Sequence, residues 1–70
     1  MSVVTVQMWA GRTVEQKREL ITAITDAMVN IAGTHRSGTH VIIQDIPKDS
    51  WGRGGVLGTD RTDITNEEDK

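Results

Sequence analysis

Five side chains stand where a loop or a strand end can present them to a ligand: Arg12, Arg36, His40, Trp51 and Arg53. Arg12 follows Ala10-Gly11, a break after an apolar run, and comes just before a helix start, where the helix dipole also favours anions. A guanidinium there suits a carboxylate, gripped through two parallel hydrogen bonds. A lone turn arginine is otherwise an ordinary solvated cation. His40 opens a β-branched run and reads either as a strand-edge histidine or as a donor to a carboxylate or carbonyl. Trp51 is either core or the wall of a pocket, in a chain with no Phe and no Tyr to supply aromatic area. Arg53, inside a glycine-rich turn, is either a pocket cation or a solvated turn residue. Other chemistries lack their residues. There is no Cys, the two histidines (His35, His40) form no metal-binding motif, and no phosphate-loop spacing occurs, so neither a metal nor another cofactor is expected.

The elements that must position these groups follow from pattern. Val3–Trp9 is β-branched and apolar, a strand with both faces at least partly covered. Thr13-Val14-Glu15-Gln16 matches a capping box. From there Val14, Leu20, Ile21, Ile24, Ala27, Met28 and Ile31 recur at three- and four-residue steps, an amphipathic helix of about five turns that Gly33 stops in the left-handed region. Gly33–Gly38 reads as a loop and Thr39–Asp45 as a second strand, closed off by Pro47. Trp51-Gly52-Arg53-Gly54-Gly55 is a turn region, with Val56-Leu57 the returning strand of a hairpin. Strand, helix, strand within so short a span is a βαβ unit with parallel strands and a right-handed crossover.

Size bounds the answer further. A 70-residue chain without disulfides or a structural metal needs a partner chain to complete its core. One helix on a two-stranded sheet leaves the other sheet face and both edges bare, so protomers are expected to join sheets into dimers that stack further. Residues 1–57 carry five acids and six bases and read as a single domain; residues 58–70 carry five acids and two bases and read as a flexible acidic tail. A mildly basic body with an acidic end does not suggest a nucleic-acid partner. Apolar runs are too short for a membrane span and the start lacks a signal peptide's pattern, so a cytoplasmic protein is expected.

The order of these pieces carries a resemblance. A short strand from the N-terminus, then Gly11-Arg12-Thr13-Val14-Glu15-Gln16-Lys17-Arg18, a long helix, a β-run and Trp51-Gly52-Arg53-Gly54-Gly55 resemble the 4-oxalocrotonate tautomerase family without gaps from about residue 2 to residue 57. The resemblance implies an α+β, two-layer β-α-β protomer with a C-terminal β-hairpin, assembled as dimers and a hexamer. It implies isomerase chemistry, enol–keto proton transfer on small 2-oxo and 2-hydroxydienoic acids. The family's base is the amine of an N-terminal proline, and an α-amine suits the task because such groups ordinarily titrate at about 7.7–8.0. By position, Arg12 matches one family arginine, His40 replaces a second substrate-contacting arginine, and Trp51 falls at the aromatic of the pocket wall.

Ser2 is the departure that matters, because it stands where the family has its proline. With Met1 removed, Ser2 offers a primary amine as the base; with Met1 retained, residue 2 is a neutral amide. Alternatively the chain is a silenced variant, or a non-catalytic subunit paired with a proline-bearing partner. Geometry constrains every version. About nine extended residues, close to 30 Å, separate Ser2 from Arg12, so the two meet only across subunits. The expected site is therefore Ser2 and Arg12 for catalysis, with Arg12, His40, Trp51 and Arg53 for binding a small anionic 2-oxo acid.

Overall fold

The computed structural model describes residues 1–61. Strand β1 runs Ser2–Trp9, helix α1 Val14–Ala32 and strand β2 Thr39–Ile46. A short hairpin follows, β3 at Gly52–Arg53 antiparallel to β4 at Val56–Leu57. Short 3-10 turns occupy Arg36–Gly38, Lys48–Ser50 and Gly58–Asp60. The expected β-α-β protomer with a C-terminal hairpin is the observed fold.

The helix is bounded by its own end chemistry. Thr13 Oγ1 accepts from the Gln16 amide at 3.1 Å, and Gln16 Oε1 accepts from the Thr13 amide at 2.9 Å, so two orphan donors are satisfied reciprocally. At the other end Gly33 takes φ 73°, and its amide and that of Thr34 both turn back to the Met28 carbonyl. Nineteen residues of helix span about 28 Å, close to the length of an eight-residue strand, so α1 can carry the chain from one end of β1 back to the other.

Strands β1 and β2 are parallel in a register pairing Ser2 with Thr39, Val3 with His40 and Trp9 with Ile46. Each strand is one residue longer than the sequence pattern predicts, because Ser2 and Ile46 are both held by a cross-strand partner. Ser2, Val4, Val6 and Met8 alternate with Val3, Thr5 and Gln7, the first set half-buried beneath the helix side and the second exposed. In β2 the half-buried residues are Thr39, Val41, Ile43 and Ile46.

The helix packs chiefly on β2, with Leu20, Ile24 and Met28 half-buried. Its apolar stripe is wider than the sheet beneath it. Val14 remains 67% exposed and Ile31 86%, the latter at the helix end beyond the sheet. Val3 and Ile42 are exposed on the uncovered sheet face. Among the described residues no apolar side chain is fully buried. Half-burial yields about half of the 1.5–3 kcal/mol that full burial of such a side chain supplies, so the protomer's own core is incomplete. Residues 58–61, which the sequence placed in the tail, continue the fold: Gly58 is buried, and its amide donates to the Trp51 carbonyl at 2.7 Å. The remainder of the expected acidic tail, residues 62–70, lies outside the described residues.

Candidate active site

The parallel register divides the sequence-predicted residues between the two ends of the sheet. Ser2 and His40 lie at the end where both strands start; Arg12, Trp51 and Arg53 lie beyond the end where they finish. Seven steps of strand, about 23 Å, run from Ser2 to Trp9. No single protomer brings Ser2 to Arg12.

At the first end, Met1 and Ser2 line a concavity of about 380 Å³ with Thr34, His35, Ser37 and Gly38. Its wall is held by hydroxyl groups. Thr39 Oγ1 donates to the His35 carbonyl at 2.7 Å and lies 2.8 Å from Thr34 Oγ1, while the Gly38 amide donates to the same carbonyl at 3.0 Å. Since Thr39 pairs with Ser2 in the sheet, this small network ties the loop after α1 to the chain's first strand residue. His40, one residue on, shares this end with Ser2 but projects from the opposite, exposed face of the sheet. His35, weighed in the sequence only as a metal ligand, is the histidine that lines the concavity.

At the second end an aromatic pair organises the surface. The rings of Trp9 and Trp51 meet edge to face with centroids 6.3 Å apart. Lys48 Nζ sits 4.6 Å from the Trp9 ring centroid, and Arg12 Nη1 donates to the Trp9 carbonyl at 2.9 Å. Gly58 fits between them; a Cβ at that position would lie 3.0 Å from Trp9 Cζ2 and 2.9 Å from the Lys48 carbonyl oxygen. The Trp9 Nε1 donor is buried without a hydrogen-bond partner. Arg53, exposed on the hairpin, lines a separate depression of about 270 Å³ with Gly54, Val56 and Arg61. The turn between them is made by Gly54 and Gly55 at φ 62° and 82°, positive at both central positions as a tight hairpin requires. Trp9 and Lys48 escaped the sequence reading. The available signal was Trp9 itself, one of only two aromatic residues, three positions before Arg12 at a strand's end.

The Tautomerase family profile, described as tautomerase enzyme, matches residues 3–61. The chain belongs to this family. It is 33% identical over 61 residues to a protein named probable tautomerase from Staphylococcus epidermidis, a match covering 87% of this chain and 100% of that one. The crystal structure of a 4-oxalocrotonate tautomerase homologue superposes with a TM-score of 0.82 at 34% identity, covering 89% of this chain and 98% of the other. A heterohexamer 4-oxalocrotonate tautomerase from Chloroflexus aurantiacus J-10-fl gives a TM-score of 0.80 at 30% identity, with 86% and 97% covered. The match to residue 61 agrees with the structured turn at Gly58–Asp60. Among the described residues no helix is long and apolar enough to cross a membrane.

Proposed function

We propose that this tautomerase-family protein moves a proton between enol and keto forms of small anionic 2-oxo and 2-hydroxydienoic acids, with the α-amine of residue 2 as base once Met1 is removed. The observation that carries the reading is the placement of the chain's start: Ser2 enters β1 at the rim of a concavity large enough for a small acid. An amine there takes the enol hydroxyl proton of the bound acid and returns it to a carbon of the conjugated system as the oxygen becomes a carbonyl. Arg12, from the opposite sheet end of a neighbouring protomer, holds the substrate carboxylate and stabilises charge developing on the enolate. His40, which faces away from the concavity of its own protomer, serves as an auxiliary donor to the site of a neighbouring one, and Trp51 and Arg53 close the pocket.

The division of the site requires assembly, and the unburied apolar surface supports it. Val3 and Ile42 on the open sheet face, with two unpaired sheet edges, await a second chain. A hexamer built from dimers satisfies both needs.

Ser2 itself favours a second reading, a non-catalytic subunit or a silenced tautomerase. The solved heterohexamer relative shows that family members assemble from unlike chains. One assay separates the two. The ketonisation of 2-hydroxymuconate is followed by absorbance with protein whose intact mass shows Met1 absent, alongside Ser2→Pro. Turnover well above background in the Ser2 protein supports the enzyme. Background turnover, with activity appearing only in Ser2→Pro, supports the silenced chain, and inactivity in both overturns the proton-transfer reading of the pocket.

A further inference from the structure

The cations of this chain are sorted by place. Lys17 pairs with Asp45, Arg18 with Glu15 and Arg36 with Asp26, so the positive charges along the helix and the following loop are neutralised locally. Around the two tryptophans the pattern reverses. Arg12, Lys48 and Arg53 are in no ion pair among the described residues, and Asp49, next to Lys48 in sequence, is in none either. Surface cations cost little when unpaired, and Asp49 and Asp60 stand in the same turns, so what sets Arg12 and Lys48 apart is how they are held rather than net charge.

Two of them are anchored on one residue. Arg12 is fixed by the Trp9 carbonyl, and Lys48 is fixed over the Trp9 ring. A lysine stem otherwise samples many rotamers; the ring face selects one of them and leaves the ammonium's three donors free to bond. Trp9 therefore presents two cations of different kind, a planar fork suited to two parallel hydrogen bonds and a compact point charge. Trp51, set edge-on to Trp9, supplies an apolar surface beside them.

We infer that Lys48 is a specificity-determining residue, reading a second negative charge on a planar conjugated acid whose first carboxylate is held by Arg12. The assignment rests on the function proposed above, because it takes the tryptophan end of the sheet as the anion-binding half of the site. Lys48 discriminates by charge: a dianion gains its contact and a monoanion of the same shape does not.

The test reads binding, independently of turnover. Both tryptophans lie at this end and are the only ones in the chain, so their fluorescence reports occupancy directly. The assembled full-length protein is titrated with hexa-2,4-dienedioate and with hexa-2,4-dienoate, the same conjugated chain carrying one carboxylate. Lys48→Met, which keeps the stem against Trp9, is expected to weaken the dianion about tenfold and the monoanion less than about twofold. Lys48→Arg is expected to restore the preference, and Arg12→Met to weaken both ligands. Equal loss for the two ligands, no loss for either, or no fluorescence response to either anion in the parent protein overturns the assignment. The function reading is scored separately: turnover by Ser2→Pro stands whatever Lys48 does, and selective loss in Lys48→Met stands even if Ser2→Pro is inert.

Discussion

The two ends of the sheet are built by different means. Where β1 and β2 begin, the surface is shaped by small polar groups, with Thr34, Thr39 and the His35 carbonyl joined by short hydrogen bonds around the entry of the chain. Where they finish, two indoles, a lysine stem and a buried glycine pack together, and the cations are held by that packing. The first end suits a base, which needs a concavity and access for a proton. The second suits an anion, which needs positive charge beside apolar surface. A parallel pair of eight-residue strands keeps these ends about 23 Å apart, so the comparison also teaches why assembly and activity are inseparable in the proposed function.

Each end can be changed on its own. The largest effect is expected at the first: acetylating the residue-2 amine of the Met1-less protein should lower the ketonisation rate by about a hundredfold or more, the scale of a well-placed general base. A change under about threefold would mean that the concavity at Ser2 does not hold the base. At the second end, Arg12→Ala should lower kcat/KM of an active form by about ten- to a hundredfold, matching the loss of a charge-assisted hydrogen-bond pair. Steady-state kinetics on the Ser2→Pro background give the number, and an unchanged kcat/KM would remove Arg12 from the site.

Stability measurements sharpen the same contrast. Gly58→Ala places a methyl group against the Lys48 carbonyl and the Trp9 ring, and should cost about 1–3 kcal/mol in denaturant unfolding, with a shift in tryptophan fluorescence. Thr39→Val removes one hydroxyl from the first end and should cost about 1 kcal/mol, with tryptophan fluorescence unmoved because the rings lie at the far end. Both are compared at one protomer concentration, since assembly adds to apparent stability. A fluorescence shift in Thr39→Val would show that the two ends are coupled.

Much of this was legible in the residues. The capping box at Thr13 and Gln16 and the stop at Gly33 are local devices, and the helix begins and ends where they place it. The glycine pair at 54 and 55 announced the hairpin for the same reason. The helix's apolar stripe is plain in the sequence, yet Val14 and Ile31 are exposed, because a stripe states what a helix could bury and not what lies against it. Arg12 and Trp51 stand out by residue type and loop position and take their roles from the family resemblance, whereas Lys48 carries no signal beyond being a lysine.

The elements, their order and the parallel crossover follow from local sequence, because caps, turn glycines and apolar spacing act between residues a few positions apart. It took the folded chain to bring residues 48, 51 and 58 onto the Trp9 ring and to set His40 on the face away from Ser2. Those facts depend on strand register and on where the chain returns after β2, and register is a pairing between distant segments that neither segment encodes alone.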